Sequence, residues 1–141
     1  MPVDRLFVDT GFFLALFNRR DQYHEVAGRM ANHFHQCREL WTSEAIMLEV
    51  AAGFRTPGQR PIAIGLWDRF HSDPRCRLAT ISGPLLARAM ELFRSRPDKD
   101  WSLADCTSFV LMAEHHLTDA LSCDQHFVQA GFRALLLETS E

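Results

Sequence analysis

Hydrophobic positions along this chain alternate between two kinds of run. Leu6-Phe7-Val8 is an unbroken apolar stretch that stops on Asp9, and a short run bounded by turn-forming residues predicts a buried strand over 6–9. "GFFLALFNR" (11–19) predicts a short apolar helix, and 22–37 a second, amphipathic one. "ELWTS" (39–43) predicts a strand running into the helix "SEAIMLEVAAGF", with Ser43 as its N-cap. The Pro/Gly loop "RTPGQRP" closes that helix. "IAIGLWDRFHS" predicts a further helix stopped before Pro74, and "CRLATIS" a strand. Pro84 opens a helix over 84–95, the polar loop "RPDKDWS" follows, and "SLADCTSFVLMAEHHL" predicts a long apolar helix with a polar end. "DALSCD" predicts a strand, "QHFVQAG" a helical turn closed by Gly131, and "RALLLE" a last strand.

Strand and helix in alternation predict an α/β fold, a parallel sheet covered by helices on both faces. No internal repeat or linker interrupts the pattern, and 141 residues fit a single domain over 1–141. In such sheets, ligands bind beyond the carboxyl ends of the strands. Asp9 and Asp124 each follow directly on an apolar strand, so both are expected at that edge.

Two further acids do not match their surroundings. Glu49 lies in "AIMLEVAA", and the residues three and four positions away are Ala45, Ile46, Ala52 and Gly53, all small or apolar. Glu49 is therefore either the rim of a buried face or a carboxylate aimed at a charge, because an unpaired buried acid is costly. Asp105 stands three residues after Ser102, the spacing of a capping box, and an acid in a first helical turn is stabilised by the helix dipole. Capping leaves room for metal binding, since a metal ligand must also be ionised. Asp100 is a loop acid that could reach the same place. The set Asp9, Glu49, Asp105 and Asp124 offers oxygen ligands suited to Mg²⁺ or Mn²⁺. Such ions can hold a phosphodiester and activate water. His126, two residues past Asp124, reads as a polar residue on a helical turn.

Composition narrows the field. With 47% hydrophobic and 23% charged residues, the chain is an ordinary globular protein. No apolar run approaches the roughly 20 residues needed to span a bilayer, and the N-terminus does not read as a signal peptide. The formal net charge of -3 argues mildly against a non-specific nucleic-acid binder, although bound metal ions would offset part of it. None of Cys37, Cys76, Cys106 and Cys123 forms a C-x-x-C pair, and there is no H-E-x-x-H, which argues against zinc. Cys106 and Cys123 read as small buried hydrophobes, and free thiols point to a reducing cytoplasm.

"DTG" (9–11) admits three chemistries besides a plain turn: an aspartic protease, a phosphoryl-transfer nucleophile and a metal-dependent nuclease. The helix-rich pattern weakens the protease, and Gly11 stands where a haloacid-dehalogenase-like phosphatase wants a second aspartate.

With these residues assembled, the chain resembles the PIN-domain ribonucleases, in particular the VapC-like toxins of type II toxin–antitoxin pairs. "FVDTGFFLALFNRRDQYHE", "TSEAIMLEV", "DKDWSLADCTSFVLM" and "ALSCDQHF" carry the resemblance, in that order. It implies a three-layer α/β/α fold with a central parallel sheet of four to five strands. It implies Asp9, Glu49, Asp105 and Asp124 as catalytic, metal-binding acids, with Thr10 and Asp100 as outer-shell residues. Gly11 and Ser122 depart from the usual Ser and Thr without removing a ligand. The implied activity is Mg²⁺- or Mn²⁺-dependent cleavage of RNA, in a homodimer held in check by a cognate antitoxin. That antitoxin would lie in a groove formed by "AIMLEVAAGF" and "IAIGLWDRF", to which Trp67 and Phe70 are expected to contribute. Arg19, Arg20, Lys99 or another basic residue near the acidic mouth is expected to guide the phosphate backbone. A catalytically silent or DNA-directed module of the same fold, acting by binding, is the alternative.

Overall fold

A computed structural model describes residues 4–138. Its five strands are β1 (Arg5–Val8), β2 (Glu39–Ser43), β3 (Cys76–Ala79), β4 (Asp119–Leu121) and β5 (Arg133–Ala134). They form one sheet in the order β3-β2-β1-β4-β5, every pair parallel. The helices are α1 (Thr10–Phe17), α2 (His24–Ala31), α3 (Glu44–Gly53), α4 (Arg60–Ser72), α5 (Gly83–Ser95), α6 (Leu103–Glu114), α7 (Gln125–Gln129) and α8 (Leu135–Glu138). The expected parallel α/β sheet is therefore present, with five strands and flanking helices.

Successive residues of a strand face opposite sides of the sheet, and here both sides are packed. Phe7 turns to one side, where its ring lies 6.4 Å from Phe127 of α7, and Phe127 in turn meets Phe109 of α6 edge-on at 5.0 Å. Val8 turns to the other, where it lines an apolar cavity of about 80 Å³ with Phe12, Phe13, Leu40, Phe70 and others. A strand buried on both faces has no polar positions to spare, which is why Leu6-Phe7-Val8 reads as a continuous apolar run.

Strand order decides where the site falls. The chain runs from β1 outward to β2 and β3, then returns to the other side of β1 to lay down β4 and β5. The order reverses between β1 and β4, and a crevice opens at such a switch point beyond the carboxyl ends of the strands. Asp9 and Asp124 follow these two strands, and the amide of Asp9 donates to the carbonyl of Leu121 at 3.1 Å.

Caps set several boundaries as expected. Ser43 Oγ accepts from the amide of Ile46, and Ser102 and Asp105 form a reciprocal capping box. Other boundaries move. The helix expected over 22–37 begins at His24 and ends at Ala31, with a separate 3-10 turn at Phe34–Gln36. β3 stops at Ala79, two residues before Ile81, whose amide donates instead to Glu44 Oε1 at 2.7 Å. The last strand is only Arg133–Ala134, and Leu135–Glu138 turn helical, although apolar Leu135 to Leu137 fit either period. α6 ends at Glu114 and His116 takes the left-handed conformation at φ 56°, so the helix does not reach Leu117. No helix among the described residues is long and apolar enough to cross a membrane.

Phe127 links the core to the crevice, being fully buried between Phe7 and Phe109 on the short helix that follows Asp124. Phe127→Ala is expected to cost about 3–5 kcal/mol of folding free energy, read from urea unfolding of both proteins.

Candidate active site

Four elements bring a carboxylate to the crevice or its rim, each by a different local device. Asp9 is the N-cap residue of α1 by position, with extended backbone, but its side chain makes no capping bond and is free to turn elsewhere. It accepts a hydrogen bond at Oδ2 from Ser122 Oγ, 2.9 Å away. The same buried hydroxyl accepts from the amide of Asp124 at 3.0 Å, so one oxygen ties the ends of β1 and β4 together. Asp124 caps α7, its Oδ1 accepting from the amide of His126 at 2.9 Å. Asp105 sits in the first turn of α6 with Oδ2 accepting from the amide of Ser102 at 3.1 Å. Glu49 is exposed on α3, and its Oε1 accepts from Thr10 Oγ1 at 2.6 Å, next in sequence to Asp9.

Asp105 and Asp124 are close enough for their charges to act on Asp9. Burial pushes the Asp9 carboxyl up to about 7 from its ordinary 3.8, and the charges of Asp105 and Asp124 add to the rise. The hydrogen bonds from Ser122 and from the Thr10 amide oppose it. His126 stands between the other two acids, with Nδ1 3.0 Å from Asp105 Oδ2 and 3.2 Å from Asp124 Oδ1. Glu49 joins the group through Thr10 as an acid at the rim, not as a buried one. Asp100 is exposed in the loop before Trp101 and makes no hydrogen bond or ion pair with the cluster among the described residues.

No arginine or lysine among the described residues forms an ion pair with Asp9, Glu49, Asp105 or Asp124, although most other acids near a base do pair. Asp105, Asp124 and His126 each offer a ligand atom within 4.8 Å of the others, and with Asp9 close by and no arginine or lysine paired to these acids the group fits a divalent ion.

Three details escaped the sequence pattern. His126 was expected as an ordinary polar residue of a helical turn, yet it meets two of the acids. The Asp-x-His spacing was its only signal, because a residue two past an N-cap aspartate has its amide held by that carboxylate. Ser122 stood out only as a departure from threonine. Gly11 has a steric reason, since a Cβ there would lie 3.3 Å from Cys123 Sγ, tighter than ordinary contact. Cys123 itself is half-buried at this edge, not sealed in the core as Cys106 is. Phe70 likewise faces the core, edge-on to Phe13, and only Trp67 of the expected aromatic pair is exposed.

A five-stranded parallel sheet with this strand order and acids at its switch point fits a PIN domain, and the PIN-domain family model matches residues 6–133. The chain belongs to that family. It is similar to the 23S rRNA-specific endonuclease VapC20 of Mycobacterium tuberculosis strain H37Rv, with 28% identity over 135 residues, covering 90% of this chain and 95% of the relative. The strain CDC 1551 / Oshkosh protein of the same name matches to the same extent. The crystal structure of M. tuberculosis VapC20, described as a Sarcin-Ricin loop cleaving toxin, superposes with a TM-score of 0.80 at 24% identity, over 92% of this chain and 97% of that one.

The raised Asp9 pKa has a measurable consequence in chelator. With the folded value above the unfolded one, the native state holds more protons between about pH 4 and 7. The protonated Asp9 contributes its full stability below the unfolded value and loses it as pH rises through about 7. Thermal melts in EDTA should therefore fall from pH 5 to pH 8 by more in wild type than in Asp9→Asn, a difference on the order of a few kcal/mol at most. Equal slopes for the two proteins would remove Asp9 as the strained member of the cluster.

Proposed function

We propose that this chain is an Mg²⁺- or Mn²⁺-dependent endoribonuclease and the toxin of a type II toxin–antitoxin pair, acting in the cytoplasm. The observation that carries the reading is the crevice itself: Asp9, Asp105 and Asp124 gather at the switch point of a PIN sheet, Glu49 stands beside them through Thr10, and no arginine or lysine among the described residues pairs with any of the four. Asp9, Asp105 and Asp124 would hold the ion, and Glu49, braced by Thr10, completes the set from the open side. A divalent cation at such a site supplies charge neutralisation of the phosphodiester, a water of lowered pKa and stabilisation of the leaving oxygen. Ser122 keeps Asp9 aimed into the crevice, and the caps of α6 and α7 fix Asp105 and Asp124. Arg19, Arg20 and Lys99, which make no ion pair among the described residues, are suited to the phosphate backbone of the substrate.

The relatives' names make a structured ribosomal RNA the first substrate to try. The antitoxin of this reading docks on the face where Phe17, Leu48, Ile64 and Trp67 are exposed on α1, α3 and α4. The homodimer draws support from the exposed stripe of Leu86, Met90 and Phe93 on α5.

Purified protein free of antitoxin should cut 23S rRNA fragments with Mn²⁺ or Mg²⁺ and stop on addition of EDTA. Asp124→Asn keeps a good N-cap residue for α7 while removing one charge. It should lower the cleavage rate by at least about 100-fold with little change in melting temperature. Cleavage that survives chelation would overturn the metal dependence, and cutting confined to DNA would favour the DNA-directed alternative.

A further inference from the structure

We infer that His126 is a nitrogen donor of the metal site, and that it turns an all-oxygen ligand set into a mixed one that favours Mn²⁺ over Mg²⁺. The inference rests on the metal-dependent reading above and deepens it by naming the ion.

The geometry is that of ligands sharing one ion. His126 Nδ1 lies 3.0 Å from Asp105 Oδ2 and 3.2 Å from Asp124 Oδ1. One ligand atom from each of the three residues falls within 4.8 Å of the others. Neighbouring donors in an octahedral shell with bonds of about 2.1 Å are about 3.0 Å apart. The nitrogen therefore stands from each carboxylate oxygen at the spacing of adjacent ligands.

The donors are also held in place before any ion arrives. The amide of Ser102 holds Asp105 Oδ2, and the amide of His126 holds Asp124 Oδ1. Buried Phe127 anchors the helical turn that carries His126. The Nδ1 atom has no protein partner among the described residues other than these two carboxylates.

Ligand chemistry then separates the ions. Mg²⁺ is bound through a few carboxylates and keeps its waters. Imidazole is a ligand for first-row transition ions. Replacing one oxygen position by a ring nitrogen costs Mg²⁺ more than Mn²⁺. The same nitrogen could instead act only as a brace, donating its proton to the two acids, and the two roles differ in what a bound ion would report.

The test uses the whole chain loaded with one equivalent of Mn²⁺ or less. Electron spin-echo envelope modulation of wild type should show coupling of the Mn²⁺ electron spin to ¹⁴N, absent in His126→Gln. Calorimetric titration of the same two proteins should show the Mn²⁺ dissociation constant rising about 10- to 100-fold in the variant. The Mg²⁺ constant should change by no more than about threefold. Mn²⁺ bound to wild type without ¹⁴N coupling would overturn the inference and leave the metal-dependent reading standing. An equal loss for both ions in the variant would also overturn it and make His126 a brace. Failure of wild type to bind either ion would overturn the metal-dependent reading together with the inference. The spectroscopic arm is read on wild type, so it stands even where the variant fails to fold.

Discussion

The hydroxyl of Ser122 sits buried between the ends of two adjacent strands, donating to Asp9 and accepting from the amide of Asp124. Much else at the crevice depends on this pair of bonds. Asp9 has given up the capping of α1, and its carboxyl is held instead by the Ser122 hydroxyl and the Thr10 amide. Asp124 in turn accepts from the amide of His126, whose ring nitrogen lies 3.0 Å from Asp105. A single oxygen thus transmits the register of β1 and β4 to acids that come from three separate elements.

Holding like charges at one edge is costly, and the fold offsets part of that cost with helix ends. Asp105 stands in the first turn of α6 and Asp124 at the start of α7, where backbone N–H groups point at the carboxylates. Asp9 receives less of this help because it lies deeper, and burial is the main reason its carboxyl resists ionisation. The strain is therefore unequal across the cluster. Asp105 and Asp124 each accept a backbone N–H at a helix start, while Asp9 leans on the Ser122 hydroxyl and the Thr10 amide and carries the cost of burial.

Much of this was legible in the residues, for reasons that can be named. Leu6-Phe7-Val8 followed by Asp9 marks a strand buried on both faces and cut off by an acid, and the parallel sheet followed from the repeated alternation of such runs with helices. Ser43 and Ser102 declared their helices by cap chemistry. Three-dimensional proximity was not legible in the same way. Ser122 bonds to Asp9 across 113 positions, and nothing local in "ALSCD" marks that hydroxyl as the link. The His126 ring meets Asp105 from 21 positions away, beside the contact of Phe127 with Phe109, and periodicity does not encode that approach. Leu135 to Leu137 failed as a strand because apolar residues in an unbroken run satisfy helix and strand alike, and packing decides between them.

The 113-position span of the Ser122–Asp9 bond also orders events in time. A chain emerging from the ribosome presents Asp9 first and, much later, the strand that fixes it. β4 adds to the sheet beside β1 only after β2, β3 and the helices around them have been made. A fragment ending before Ser122 carries Asp9, Glu49 and Asp105 but neither Asp124 nor the hydroxyl that links the two strand ends. The assembled crevice is thus a late product of synthesis, and a prematurely terminated chain of that kind cannot hold it.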